Sequence, residues 1–143
     1  MLASFTFLQR MQALAGWRRN AVAFFAGVLM TLTLPPVFAL PLIIPAFTIL
    51  YLLINAAPTA KRAFADGWWW GWGFYMSGLY WFCIALMTEP DKFAWLIPFA
   101  LFGLTAVIAV YSGMASLLYY MVRVYYMVRG RGIAGIVLFA TLW

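Results

Sequence analysis

Between Asp66 and Thr88 the chain reads DGWWWGWGFYMSGLYWFCIALMT, and the 21 residues from Gly67 to Met87 carry no charge. A helix of that length is roughly 32 Å long at about 1.5 Å per residue, which matches a hydrocarbon core of ~30 Å. The stretch therefore predicts a membrane helix. A rotation of about 100° per residue brings Gly67, Gly71, Gly78 and Ala85 within about 40° of one another. Small residues in one stripe let a neighbouring helix come close, so these four are the candidate helix-packing residues. Trp68, Trp72, Tyr75, Leu79, Phe82 and Leu86 form an adjoining apolar face suited to lipid or to another helix. Asp66, Gly73, Ser77 and Tyr80 share a narrower, more polar one. Trp68, Trp69 and Trp70 near one end, and Trp81 toward the other, are candidate interfacial or lipid-facing anchors.

The rest of the chain belongs to the same class. Hydrophobic residues make up 68% and charged residues 8%, against roughly 45–50% and 25% in a soluble domain. The expected fold is all-α: a polytopic transmembrane bundle of four complete helices and a truncated fifth. A cytoplasmic or interfacial segment, residues 1–20, precedes a helical membrane domain, residues 21–143. The expected helices cover 21–34, 45–57, 67–87 and 93–122, with 133–143 incomplete.

Each boundary has a local cause. Leu2, Phe5, Leu8, Met11 and Trp17 with Arg10, Arg18 and Arg19 give the first segment an amphipathic character suited to the membrane surface. The competing reading is a secretory signal with a small-residue cleavage site at Val37-Phe38-Ala39. Pro35-Pro36 removes two N–H groups and ends the first helix. Pro41 and Pro45 extend that bend, read as a turn at the outer interface or as a re-entrant bend lining a lipid entrance. Pro58 to Ala65 reads as a loop, and Phe93 to Val122 exceeds what a bilayer needs, so it must tilt, bend or protrude. Tyr119, Tyr120, Tyr125 and Tyr126 around Arg123 read as an aromatic belt or a head-group site. The last 11 residues, 133–143, span roughly 16 Å as a helix. A chain ending there would leave a carboxylate near the midplane, so a fifth helix cut short is expected.

Charge sets the orientation. Arg10, Arg18, Arg19, Lys61, Arg62, Arg123, Arg129 and Arg131 fall on one side if the helices alternate, leaving Lys92 on the other. An eight-to-one excess predicts a cytoplasmic amino terminus, with Glu89 and Asp91 on the far side. The net charge of +6 is spread over segment ends rather than gathered on one face, which argues against a nucleic-acid partner.

A resemblance adds to this reading. Gly67, Trp70, Gly71, Gly73, Ser77, Gly78 and Trp81 form G-x-x-W-G-x-G-x-x-x-S-G-x-x-W, a pattern that resembles the third membrane segment of apolipoprotein N-acyltransferases. Leu32-Thr33-Leu34-Pro35-Pro36 is similar to the proline-broken end of that family's first helix, and Ala140-Thr141-Leu142-Trp143 to the start of a later one. The resemblance implies a multi-pass protein of the bacterial inner membrane that acts in lipoprotein maturation. It covers nearly all of the chain and the opening third or so of the family architecture. It also implies membrane phospholipid as a partner, and a lipoprotein substrate for the full-length enzyme. In the family a glutamate, lysine and cysteine triad of a periplasmic nitrilase-like domain takes the acyl chain from a phospholipid onto the cysteine and passes it to the lipoprotein amino group.

No stretch of this chain matches those catalytic motifs, so no catalytic residue is expected here. Cys83, the one cysteine, sits among Phe82, Ile84 and Ala85 without a lysine or histidine in sequence to activate it, and reads as an inert buried thiol. With no histidine in the chain, no metal and no cofactor are expected. The expected role is that of a membrane scaffold with a possible acyl-chain path, catalytically inactive alone. Two other classes compete. A transporter or channel subunit would carry ionisable groups inside its spans, whereas each charged residue here reads as a loop or interface residue. A self-standing small membrane assembly protein would show the same packing faces.

Overall fold

The computed structural model describes residues 16–35, 37–79, 95 and 98–128, and every regular element among them is helical. Four α-helices run over Trp17–Thr31 (α1), Ile43–Asn55 (α2), Ala60–Gly78 (α3) and Thr105–Val128 (α4). A 3₁₀ turn, Leu40–Leu42, leads into α2, and a π-helical stretch, Phe99–Leu104, leads into α4. The all-α class follows. The amphipathic segment before Gly16, the stretch from Tyr80 to Thr88 with Trp81, Cys83 and Ala85, and the segment 133–143 lie outside the described residues.

The helix ends depart from the expected ones for identifiable reasons. Helix α1 starts at Trp17, directly after Gly16 at φ 63°, and so takes Arg18 and Arg19 into its first turn. It stops at Thr31, before the prolines. The N–H groups of Leu32, Thr33 and Leu34 reach back three residues to Leu29, Met30 and Thr31, and the Thr33 hydroxyl donates to Met30 O at 2.7 Å. Pro45 stands in the first turn of α2, where a missing N–H costs nothing.

The largest correction concerns Pro58 to Ala65, expected as a loop. Thr59 is extended and its hydroxyl accepts the Arg62 N–H at 3.3 Å, which starts α3 at Ala60. Lys61, Arg62 and Asp66 are helical residues as a result. The break narrows to Pro58 and Thr59.

Helix α3 is the centre of the bundle, with α1 and α4 on its flanks and α2 packed chiefly on α1. Hydrogen bonds join Arg19 to Asp66 and Thr31 to Ser77, so α1 and α3 run parallel. Gly67 faces Ser116 while Gly71 faces Ser112, so α4 runs antiparallel to α3. Arg123 near the end of α4 donates to Asn55 O at 3.0 Å. The start of α1, the end of α2, the start of α3 and the end of α4 are thereby gathered at one end of the bundle.

The core holds Ala23 and Ala26 of α1, Leu50, Leu53 and Ile54 of α2, Ala63 and Trp70 of α3, and Tyr119 of α4. On α4 the buried positions Thr105, Ala109, Ser112, Ser116 and Tyr119 recur every three or four residues, the stripe expected of one packed helix face. The opposite surface is apolar as well: Phe25, Ile44, Val107, Tyr111 and Met114 are exposed. Among the described residues, one stretch of 25 residues, 101–125, is long and apolar enough to cross a membrane by length and composition, with mean hydropathy 1.9 over an 18-residue span of it. Helices α1 and α2 are shorter, at 15 and 13 residues.

Candidate functional site

Three features meet on α3: a buried ion cluster at its start, two glycine contacts along its middle, and an aromatic groove beside it. The ion cluster comes first. Asp66 is fully buried, and the fork of Arg19 grips it through Nε at 3.1 Å to both oxygens and through one terminal nitrogen at 2.7 Å. Planar guanidinium and planar carboxylate match in this arrangement, which makes it one of the stronger charge-assisted contacts. The same Arg19 donates to Leu53 O at 2.6 Å and Ala56 O at 3.4 Å, carbonyls at the negative end of α2. One arginine of α1 therefore ties α2 to α3.

A second guanidinium shares the carboxylate. Arg62 approaches Asp66 Oδ1 at 3.1 Å, one helical turn away, and donates to Asn20 Oδ1 on α1 at 2.6 Å. Its Nε is buried and has no hydrogen-bond partner among the described residues. Two arginines around one aspartate leave an excess of one positive charge. The expectation that all charged residues lie in loops or at interfaces is corrected here, since Arg19 and Asp66 are helical and buried.

The glycines act in two directions rather than one. On the α4 side, a Cβ at Gly67 would come within 2.7 Å of Ser112 O, and one at Gly71 within 2.6 Å of Ser112 Cβ. Ser112 and Ser116 have buried hydroxyl oxygens without hydrogen-bond partners among the described residues, set against these glycines. That geometry suits weak C–H···O contacts between closely packed helices. On the α1 side, a Cβ at Gly27 would lie 2.8 Å from Phe74 N, and one at Gly73 3.0 Å from the Phe24 carbonyl carbon. Here backbone meets backbone. Gly73, expected on a polar face, thus packs on α1, and Gly78 packs more loosely, with Leu34 and Thr31 at 3.9 Å.

The tryptophans divide in the same way. Trp70 is 2% exposed and lies against Phe47 and Phe74, with ring centroids at 5.4 and 5.8 Å. It is a core residue. Trp68 and Trp72 stack at 5.3 Å, and both reach α4: the Trp68 indole donates to Ala106 O at 3.0 Å and that of Trp72 to Thr105 Oγ1 at 3.2 Å. Thr105 passes its own proton to Leu101 O, where the π-helical stretch leaves carbonyls for side chains to satisfy. Trp69 lies against Trp72 in a tilted contact, with ring centroids at 5.1 Å, and faces a groove of about 410 Å³ between α1 and α3, lined by Trp17, Asn20, Phe24, Trp72 and Phe102 among others.

Arg123, expected in an aromatic belt, serves the end of α2 through Asn55 O. Sequence reasoning missed the ion cluster altogether. Its one legible sign is the Arg62–Asp66 spacing of four, which a loop reading of that stretch discards. Among the described residues no cluster of histidine, cysteine, aspartate or glutamate is arranged to hold a metal.

A family profile described as the apolipoprotein N-acyltransferase N-terminal domain matches residues 26–143. The chain is 38% identical over 117 residues to an apolipoprotein N-acyltransferase of Allorhizobium ampelinum, covering 76% of this chain and 22% of that one. A second, from Rhodopseudomonas palustris, is 38% identical over 104 residues, covering 69% and 19%. A third, from Brucella suis, is 36% identical over 122 residues, covering 76% and 22%. The chain thus spans about a fifth of the length of the curated relatives it matches, less than the third expected from its motifs. No solved structure matches it.

Proposed function

The chain belongs to the apolipoprotein N-acyltransferase family, matching its N-terminal domain, and on that premise we propose that it is the membrane-embedded scaffold of an enzyme that passes an acyl chain from phospholipid to a lipoprotein. The observation that carries this reading is the contrast between the two sides of α3 and its neighbours. Inside, glycine and serine bring the helices into backbone contact; outside, Phe25, Val107, Tyr111 and Met114 are bare. In water such a surface would aggregate. In lipid, packing of small residues is what holds helices together, while outward apolar side chains need no protein partner.

The proposed orientation places Arg18, Lys61, Arg62 and Arg123 on the cytoplasmic side of a bacterial inner membrane. Support comes from the shared end of the bundle at which Arg19, Arg62 and Arg123 make their hydrogen bonds, since lysine and arginine accumulate on the cytoplasmic face. The described residues offer a frame and an apolar path rather than a reacting group: no thiol and no histidine lies among them. Alone, the 143-residue chain is expected to transfer no acyl group.

Reporter fusions test the reading. A fusion after Asp91 should report the periplasm and one after Arg129 the cytoplasm, with the chain resisting carbonate extraction. The opposite pattern, or release by carbonate, would overturn the proposal.

A further inference from the structure

The groove between α1 and α3 joins two chemistries that the scaffold reading leaves unused. Its floor is apolar and aromatic, built from Phe24, Trp69, Trp72 and Met76. At about 410 Å³ it falls in the range of small-ligand sites, roughly 300–1,000 Å³. Its α1 wall ends at Asn20, whose side-chain carbonyl is taken by Arg62 at 2.6 Å, leaving the amide N–H groups to donate elsewhere. On α3, Arg62 stands seven residues before Trp69, two turns along the same stripe. Asn20 is thus the polar residue of the groove, and the Arg62 guanidinium bonded to it stands just beyond the lining.

That guanidinium is short of negative charge. Arg19 occupies both oxygens of Asp66, so Arg62 shares a carboxylate already bound, and its buried Nε donates to nothing among the described residues. Arg18 and Lys61, both exposed, add two more positive charges at the same end. A charge in this position, 24% exposed and beside apolar surface, calls for an anion. Residues 1–15 cannot supply one, since they contain no aspartate or glutamate.

We propose that this groove holds one acyl chain of an anionic phospholipid of the cytoplasmic leaflet, its phosphate against Arg62 and the Asn20 amide, with Arg18 and Lys61 favouring an anionic over a zwitterionic head group. The proposal rests on the membrane-embedded reading. The lipid lies in the groove beside the α1–α3 contact, along the half-buried rings of Phe24, Trp69 and Trp72, and it neutralises the excess charge of the ion cluster. It acts as a structural ligand of the scaffold.

Native mass spectrometry of the 143-residue chain, released from detergent micelles titrated with phosphatidylglycerol or with phosphatidylcholine of the same acyl chains, tests it. Phosphatidylglycerol should bind at least about tenfold more tightly, the scale of two surface basic residues, at about 1 kcal/mol each, facing an anionic rather than a zwitterionic head group. Arg18→Gln with Lys61→Gln should erase that preference, and Arg62→Gln should weaken both lipids. Ala21→Trp, which fills the groove and leaves the ion cluster intact, should weaken both lipids, so the test holds even where Arg62→Gln fails to fold. Equal binding of the two lipids in a chain that resists carbonate extraction would overturn this inference alone. Release of the chain by carbonate would overturn the membrane reading with it. If deleting residues 2–15 raises binding of both lipids equally, the amino-terminal segment is the occupant and the lipid proposal is wrong.

Discussion

Asp66→Asn isolates the ion cluster because it keeps the shape of the side chain and removes its charge. The Asp66 and Arg19 side chains are 0% and 5% exposed, so water screens little of the change. Arg19 would lose three charge-assisted contacts at 2.7 to 3.1 Å, and Arg62 its one contact with the carboxylate. Breaking a buried pair from one side leaves an uncompensated charge and costs about 3–5 kcal/mol. Here two guanidiniums are left, although Arg62 is 24% exposed and can turn toward water. We expect Asp66→Asn to destabilise the bundle by about 3–4 kcal/mol. Replacing the pair together, Arg19→Met with Asp66→Leu, removes the buried one of the two stranded charges and should fall short of the summed single costs by about 2 kcal/mol. Denaturant titration in detergent micelles, followed by tryptophan fluorescence and circular dichroism, reads both values. A loss under about 1 kcal/mol for Asp66→Asn, or additivity of the double variant, would refute the reasoning.

The remaining variants probe the packing of α3. Gly71→Leu places a side chain where Ser112 Cβ already stands 2.6 Å from the first added atom; overpacking of about 3 kcal/mol or more should appear as loss of a monodisperse peak in size-exclusion chromatography. Gly103→Ala is the matched control, since among the described residues nothing lies within 4 Å of the added methyl, and its folded yield should equal or exceed that of the parent. Trp72→Leu removes a stack on Trp68 and a hydrogen bond to Thr105; a cost of about 2 kcal/mol in the same denaturant titration separates this from a lipid-facing role, in which the change would be mild. Ser116→Ala deletes a buried hydroxyl without a partner among the described residues and should be neutral or stabilising by about 1 kcal/mol.

The helical class and the centrality of the Asp66–Gly78 stretch were legible because both depend on residue type and period alone. Glycine on one stripe announces close approach whatever the partner is, and Gly67 and Gly71 do meet α4 through that stripe. The second contact was hidden. Gly73 meets α1 at the backbone of Phe24, and only the parallel course of α1 and α3 puts the two together. Trp72 shows the same limit: a 100° rotation places it on a broad apolar face, and the hydroxyl of Thr105, 33 residues away, decides what that face touches. The start of α3 was misplaced for a different reason. Lysine and arginine after Pro58-Thr59 read as a polar loop, whereas Thr59 is a helix cap, and Arg62, with Asp66 one turn on, pairs with α1 across the bundle.

That pairing changes what the basic residues mean. Arg19 was counted among eight orienting charges, yet it is buried, bound to Asp66 and committed to the carbonyls of Leu53 and Ala56. It has little surface left for a lipid head group. Arg123 likewise gives a donor to Asn55 O. Among the described residues the basic charge exposed at this end is carried by Arg18 and Lys61, with Arg62 partly turned inward. Removing Arg19 should leave the orientation of the chain unchanged even while it loosens the fold, because lysine and arginine orient a segment by staying at the membrane surface. Replacing Arg18 and Lys61 together by glutamine should do the reverse, leaving the ion cluster intact and weakening the bias of the reporter after Asp91 toward the periplasm. A reporter that shifts with Arg19→Met and Asp66→Leu but not with Arg18→Gln and Lys61→Gln would show that the buried arginine orients the chain, and that its place in the fold is a consequence of topology rather than a contributor to packing alone.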